Sequence, residues 1–288
     1  MQRSIGLLFS ALLILSATIL TAQEETKEED KKEAPPELSI FPDKNLETAV
    51  RHYVFEKRNT DKPVTEMDVV NLSVIKARAT GITNLAGLEK CRNLASLDIA
   101  GNGVRDLTPI AGLPKLQFLD VANNRVDDLS PLKDNVALQY IELSGNRVKE
   151  ITPLAGLTNL ASLYLGGNRI VDMKPLLGLP KIASLYLEDN QIASIDGVGK
   201  LRTLWTLSLS QNRIADIRPL HGLNGLYHLF LEDNRISDIS VLVGMGKEDT
   251  EKRFIPFVNI YLKGNPLGDG ALGWQWDELK ALGARLHK

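Results

Sequence analysis

Hydrophobic residues recur with a period of 22 positions through the middle of the chain. Seven successive units begin at Leu94, Leu116, Leu138, Leu160, Ile182, Leu204 and Leu226. In six of these seven units the apolar positions are the first, fourth, sixth, eleventh, fourteenth, seventeenth and twentieth, and Asn occupies the ninth in all seven. A degenerate unit begins at Leu72, and a last one contains Asn265. A fixed period of this length indicates a stack of similar coils, in which each coil contacts only its neighbours.

Each unit opens with a predicted short strand. The segment Leu163–Leu165, "LYL", alternates between buried and outward side chains, as a strand with one buried face does. The turn that follows leaves backbone groups inside the coil without partners, and one Asn side chain supplies both donors and an acceptor. We therefore expect a ladder of buried Asn side chains. Strands stacked about 4.8 Å apart would form one parallel sheet of eight or nine strands.

The repeat resembles that of the bacterial internalin family, "LxxLxLxxNxIxDIxPLxxLxx". It is clearest in "LQFLDVANNRVDDLSPLKDNVA" and "LWTLSLSQNRIADIRPLHGLNG". The resemblance implies an α/β repeat solenoid, a right-handed curved leucine-rich-repeat solenoid with a parallel concave β-sheet. The flank "IFPDKNLETAVRHYV" is similar to the helical cap that precedes internalin repeats. Asp43 is expected to cap a helix reaching about Phe55, and Thr65 with Asp68, in the following stretch "VTEMDVVNLSVIKA", forms a second capping signal.

These patterns predict five segments along the chain. A signal peptide covers residues 1–22, a disordered charged linker 23–37 and a helical N-terminal cap 38–71. Leucine-rich repeats occupy 72–267, interrupted by a polar insertion at about 244–256. Residues 268–288 form a C-terminal cap. Its closing helix is expected to cover the last coil with Trp274, Trp276, Leu279 and Leu282.

The N-terminus predicts export. Arg3 precedes an uncharged apolar run from Ile5 to Leu20, and small residues follow it, which is typical of a signal peptide cleaved after Ala22. Retention as a membrane anchor is the alternative, but the run is shorter than the roughly 20 residues that span a bilayer. We expect a secreted or periplasmic, cell-envelope protein of a bacterium, with no transmembrane domain in the mature chain.

Aromatic residues collect at outward-facing strand positions. Four of the six tyrosines fall there and Tyr227 lies beside them, although Leu, Ile and Val already fill the core positions. Tyr and Trp contribute large contact areas with few rotors and a polar tip, as residues that anchor interfaces do. Cross-strand stacking that only stabilises the sheet is the alternative. The candidate partner-binding residues are Phe118, Tyr140, Tyr164, Tyr186, Glu188, Trp205, Tyr227, His228, Phe230 and Tyr261. The rings of Tyr164 and Tyr186, on adjacent strands, should lie about 5 Å apart.

Charge gives the outward face a negative bias. Acids occur at Asp98, Asp120, Glu142, Glu188 and Glu232, and Lys263 is the one basic residue expected to oppose them. Arg at the tenth position and an acid at the thirteenth recur along the units. They are expected to pair along one rim or to hydrogen-bond to neighbouring turns. The formal net charge of the whole chain is -2, so no basic field favours nucleic acid.

No pattern in the sequence indicates catalysis. His52, His221, His228 and His287 share no metal-ligand spacing with each other or with Cys91, and no nucleophile motif or phosphate loop occurs. Cys91 is expected to be a small buried residue. We expect no enzyme activity, cofactor or metal. The leading hypothesis is a module that binds a protein partner with a basic patch on its concave face. The alternative is an envelope protein that binds glycan with the aromatic stripe.

Overall fold

The computed structural model describes residues 38–269 and 271–287. Ten parallel strands form one sheet, and each strand pairs with the next along the chain. The strands are β1 Val74–Lys76, β2 Ser96–Asp98, β3 Phe118–Asp120, β4 Tyr140–Glu142, β5 Ser162–Tyr164, β6 Ser184–Tyr186, β7 Thr206–Ser208, β8 His228–Phe230, β9 Asn259–Tyr261 and β10 Arg285–His287. The sheet is the concave face of a leucine-rich-repeat solenoid, as predicted. The predicted signal peptide and charged linker lie outside the described residues.

Apolar side chains fill each coil at the predicted positions. In the fourth unit, Leu160, Leu163 and Leu165 are completely buried, and so are Ile170 and Leu176 on the return path. Every strand has its central residue buried beneath the sheet, or partly buried at β10, and these residues stack in register from coil to coil. Because one coil cannot cover its own leucines, burial of the core depends on the neighbouring coils.

The predicted Asn ladder is confirmed. The Nδ2 group of Asn146 donates to the carbonyl of Leu143 in its own coil and to that of Val121 in the preceding coil, each at 2.9 Å. Its Oδ1 atom accepts from the backbone N–H of Val126, also in the preceding coil. The same three bonds recur at Asn124, Asn168, Asn190, Asn212 and Asn234. Each amide therefore joins its coil to the one before it.

Short 3-10 helices return the chain along the opposite side of the coils. They span Leu88–Lys90, Thr108–Ile110, Ser130–Leu132, Thr152–Leu154, Lys174–Gly178, Val198–Lys200 and Arg218–Leu220. Five of them have Pro in the first turn, where its fixed φ suits a helix and no N–H is required.

The acids at the thirteenth position begin these return segments. The Asp106 carboxylate accepts from the backbone N–H of Thr108, and the same bond recurs at Asp128, Asp172, Asp216 and Asp238. In residues 38–269 no ion pair joins an Arg at the tenth position to an acid at the thirteenth. Pairing along one rim was therefore wrong, and these acids hydrogen-bond to the turn that follows them.

The N-terminal cap has the predicted capping residues but a shorter first helix. Helix α1 spans Lys44–Arg51, with Asp43 as its N-cap, and a 3-10 turn follows at Phe55–Lys57. After the helix ends, the Arg51 guanidinium donates to three carbonyls of the loop that follows, which holds that loop against the helix. Helix α2, Glu66–Val69, begins with the expected capping box of Thr65 and Asp68.

The insertion before the last repeat is not the polar loop that its sequence predicts. Helix α3 spans Ser240–Glu248 and overlaps the expected loop. Met245 and Phe254, both inside that loop, are buried at 2% and 0% exposure. The segment contains few apolar side chains among many charged ones. Met245 and Phe254 nevertheless hold it against the core, because both are large and both are buried.

The C-terminal end closes the solenoid with a helix and an unpredicted strand. A π-helical turn, Ala271–Gln275, leads into helix α4, Trp276–Leu282. Trp276 and Leu279 are buried as expected, and Leu282 packs partly buried against the core. Trp274 is 58% exposed, so its expected covering role was wrong. Gly283, at φ 103°, ends the helix, and β10 then pairs with β9.

Candidate binding face

The strand residues that face outward bring most of the candidate aromatic residues into two separate stacks. The first aromatic stack consists of Phe118, Tyr140, Tyr164 and Tyr186. Its ring centroids lie 4.4 Å, 5.3 Å and 4.6 Å apart in chain order. The Tyr164–Tyr186 separation agrees with the expected spacing of adjacent strands. All four rings are half-buried, and leucines fill the core beneath them.

The second aromatic stack consists of His228, Phe230, Tyr261 and His287. Phe230 and Tyr261 lie 4.5 Å apart, and Tyr261 and His287 lie 4.2 Å apart, with nearly parallel planes. His228 lies 5.9 Å from Phe230 on the same strand. Sequence reasoning missed His287 because β10 follows a helix and falls outside the 22-residue period. The alternation of polar and apolar residues in "RLH", shortly after Gly283, is the sequence feature that could have predicted this strand.

Trp205 and Tyr227 lie beside the sheet face rather than on it. Each precedes its strand by one residue, and their rings meet edge to face at 6.0 Å. Trp205 is 60% exposed. Tyr227 also contacts the His228 ring, at 4.9 Å, so this pair continues from the second aromatic stack to the edge of the sheet.

Small residues on β7 separate the two stacks. Ser208 pairs in register with Tyr186 on one side and with Phe230 on the other. Thr206 and Ser208 are both buried, in spite of their outward positions. No ring contact joins Tyr186 to Phe230 in the part of the chain that the structure describes. The face therefore has a notch one strand wide.

Stacking decides which ring surfaces are accessible. Ring planes within the pairs Phe118–Tyr140, Tyr164–Tyr186 and Phe230–Tyr261 differ by only 9° to 17°. Neighbouring rings therefore cover each other's faces and present their edges and polar tips to solvent. Where a stack ends, a ring face has no neighbouring ring, as on the sides of Tyr186 and Phe230 that face the notch.

The negative charge of the face is partly neutralised at its N-terminal end. Arg78, beyond the end of β1, bonds to Asp98 at 2.6 Å and also to Asp120. The sequence had suggested that Lys263 alone opposes the acids of this face, and Arg78 is a second basic residue that does so. Arg78 occupies the seventh position of the degenerate first unit, and side chains at that position face outward. This position is the sequence feature that could have placed Arg78 on the face. The acidic residues of this face that lie beyond Asp120 are not paired with Arg78.

Two carboxylates in the middle of the face lie close to apolar surface. Burial raises the pKa of Glu142, and nearby Asp120 and Glu188 raise it further. Burial also raises the pKa of Tyr140 to about 12, together with the charge of Glu142. The Glu188 carboxylate occupies the space above Gly166, where a Cβ atom would lie 2.5 Å from Oε1. Its Oε2 atom is enclosed and has no hydrogen-bond donor.

Other chemistry finds no site in the described segments. Within residues 38–269 and 271–287, no group of three or more His, Cys, Asp or Glu residues could hold a metal ion. Cys91 is completely buried, and burial raises the pKa of its thiol to about 12. It is the buried residue that was expected, not a reactive thiolate. No helix among the described residues is long and apolar enough to cross a membrane.

Comparison with known proteins identifies the repeat. The family model for leucine-rich repeats (2 copies) matches residues 92–134, 114–156, 136–178 and 202–244. The structure of internalin C2 from Listeria monocytogenes is 32% identical in sequence, with a TM-score of 0.70 over 78% of this chain and 95% of that one. The chain belongs to the internalin-like family of leucine-rich-repeat proteins. It matches no curated protein sequence at a significant level.

Two further structures share the internalin-like fold. An internalin F from Listeria monocytogenes is 27% identical, with a TM-score of 0.74 over 86% of this chain and 69% of that one. A leucine-rich-repeat protein from Leptospira interrogans is 20% identical, with a TM-score of 0.62 over 72% of this chain and 58% of that one. At that identity the latter comparison shows the fold alone.

Proposed function

We propose that this internalin-like chain is a secreted or periplasmic module that binds a protein partner on its concave face. The two aromatic stacks carry this proposal. They place half-buried Tyr, Phe and His228 rings, and the exposed ring of His287, on the sheet, and the core does not need them. Aromatic side chains held in this way bind a partner with little further loss of rotamer freedom.

Ring orientation favours a protein partner over a glycan. Sugars stack on the flat faces of aromatic rings, whereas most faces in these stacks are covered by neighbouring rings. The exposed edges and hydroxyl groups suit side chains and backbone groups of a protein surface. The partner should carry basic groups, because Glu142, Glu188 and Glu232, which lie beyond Asp120 on this face, form no ion pair among the described residues.

The decisive variant replaces both Tyr164 and Tyr186 with Ala. We expect binding to a partner captured from native extract to weaken by about 2 kcal/mol or more, because the two rings are adjacent and central. Stability should fall by only about 1–3 kcal/mol, since ring contacts are lost and no core leucine is exposed. Calorimetry on purified protein would measure affinity, and urea unfolding would measure stability.

A matched control removes an aromatic ring elsewhere. Phe55→Ala deletes a ring that is 83% exposed in the N-terminal cap, and it should leave binding unchanged. A double variant that binds normally would overturn the proposal and leave the stacks a purely structural role. Retention of the protein on cell-wall polysaccharide through the same tyrosines would instead identify a glycan-binding protein.

The charge of the partner can be tested separately. Glu188→Lys reverses a charge in the middle of the face, so it should slow association and weaken its dependence on salt. Dissociation should change less, because electrostatic steering acts mainly on encounter. Stopped-flow measurements over a range of salt concentrations separate the two rates. Faster association of the Lys variant would show that the partner presents acids.

A further inference from the structure

The notch at β7 is a cavity of about 350 Å³ at the carboxyl end of the strand. The residues that line it are Glu188, Ser208, Ser210, Gln211, Phe230, Glu232, Asp233 and Lys263. Its chemistry differs from the rest of the face, because here a free ring face, small residues and carboxylates occur together.

The width of the notch fits one flat group. Tyr186, Ser208 and Phe230 share one register, so the two rings are separated by two strand spacings, about 9.6 Å. A planar group in van der Waals contact with both rings needs about 7–8 Å. One more layer of the aromatic stack would therefore fit, and the serine leaves that layer empty.

The charges around the notch favour a cation. Glu232 accepts from the Ser210 hydroxyl and forms no ion pair in the described part of the chain. Glu188 has a carboxylate oxygen without a donor. Lys263 also has no ion pair among the described residues, so its charge does not neutralise either carboxylate directly. Two uncompensated carboxylates beside a free ring face form a site for a positively charged group.

We propose that the notch accepts one arginine side chain of the protein partner. Its guanidinium group is planar, stacks on aromatic faces and pairs with carboxylates, whereas a lysine ammonium is compact and strongly hydrated. In this arrangement the guanidinium lies over the Phe230 face that is turned toward Ser208 and donates to Glu232. This assignment rests on the proposed function, because it names the partner side chain that the concave face would recognise.

The direct test uses N-acetyl-arginine amide as the probe. In an NMR titration at low salt, it should shift the backbone signals of Ser208, Ser210 and Glu232, with a dissociation constant of about 1–10 mM. The neutral isostere N-acetyl-citrulline amide should bind at least about tenfold more weakly. Absence of arginine binding, or equal binding of citrulline, overturns the proposal. Tighter binding of N-acetylglucosamine at these residues also overturns it.

Ser208→Tyr fills the notch without disturbing the core. It places at this register the residue type found at Tyr164 and Tyr186, so the variant should fold with a continuous stack and lose arginine binding at least tenfold. Ser96→Tyr, five strands away at about 24 Å, is the matched control and should leave probe binding unchanged. Replacement of Lys263 by Met should strengthen arginine binding, and weaker binding would indicate an anion site.

Capture of the partner separates this assignment from the proposed function. If Ser208→Tyr and the Tyr164/Tyr186 double Ala variant both lose the partner, both proposals are supported. If only the double variant loses it, the concave face binds the partner and the arginine assignment is wrong. If the double variant keeps the partner, the proposed function fails, whether or not arginine binds in the notch.

Discussion

The ninth-position Asn joins neighbouring coils through one side chain. The Asn168 amide donates to Leu143 of the coil before it, and its oxygen accepts from Val148 of that same coil. Both bonds are buried, at 3.0 Å and 2.9 Å. Because each of these backbone groups would otherwise be unpaired away from water, the requirement for a carboxamide at this position is local and strict.

Replacement of Asn168 by Ala should destabilise the protein by about 1–3 kcal/mol, because it leaves three buried backbone groups without their side-chain partner. Asn146→Ala should behave in the same way. Urea unfolding followed by circular dichroism would measure the effect. Asn224→Ala, at an exposed position, is the control and should change stability by less than about 0.5 kcal/mol. Unchanged midpoints for both ladder variants would contradict the role assigned to these amides.

Glu142 should make stability depend on pH. Its pKa in the folded protein is raised by burial and by nearby acids, so folding favours the protonated form. The corresponding stability is fully present below the ordinary pKa of about 4.3 and is lost as the pH rises through the folded value. Glu142→Gln should therefore raise the melting temperature at about pH 7 and have little effect at about pH 3.5.

Thermal unfolding at both pH values checks this prediction for Glu142. The exposed Glu150→Gln variant serves as the control and should show no such pH-dependent difference. A Glu142→Gln variant that is less stable than the parent at neutral pH would show that its carboxylate is stabilised by the fold instead.

The sequence predicts side chains that obey the period better than those that interrupt it. Asn146 is predictable because its position recurs and its chemistry answers a recurring backbone requirement. Arg78 escaped prediction because its two partners, Asp98 and Asp120, lie 20 and 42 residues away. The notch at Ser208 escaped for a different reason. That Ser208 lacks a ring becomes meaningful only when the strand register places this residue between Tyr186 and Phe230.

At the scale of elements, the ends of the solenoid are built differently from its middle. The N-terminal cap attaches through Asp43, whose carboxylate serves both α1 and the backbone of Thr83 and Asn84 in the first coil. The C-terminal end uses packing, since Trp276 and Leu279 of α4 are buried. Both ends shield apolar residues of a terminal coil that would otherwise contact water.

Leu279→Ala tests the closing helix. We expect a loss of about 2–5 kcal/mol, because a completely buried leucine of α4 is removed from the core at this end of the solenoid. Trp274→Ala, which removes a ring that is 58% exposed, should cost much less. Chemical unfolding would give the two values. Hydrogen exchange at β9 and β10 would show whether the loss is local, and a larger cost for Trp274 would contradict the observed burial.

Elements that lie outside the period are also those that sequence reasoning predicted poorly. Strand β10 comes after a helix and pairs 26 residues from its partner position, so no 22-residue comparison finds it. Helix α3 was obscured by the charged residues of its neighbourhood. The N-cap at Asp43 and the capping box at Thr65 were predictable, because their bonds join residues two or three positions apart.

For the whole molecule, the proposed function requires export before binding. We expect the mature protein to begin near Gln23, since the apolar run and the small residues after it are typical of a cleaved signal peptide. Mass spectrometry of the protein isolated from its native host would identify the N-terminus. An intact segment from Met1 to Leu20, recovered in the membrane fraction, would show instead that the module is tethered.

The Asn ladder also governs how such a protein can change over generations. Its bonds to the preceding coil span the same number of residues from coil to coil, so the junction between any two coils is nearly interchangeable. Duplication or loss of one 22-residue stretch of coding sequence would lengthen or shorten the face by about 4.8 Å and preserve every remaining junction. Reach can therefore evolve in discrete steps, independently of the side chains that the face displays.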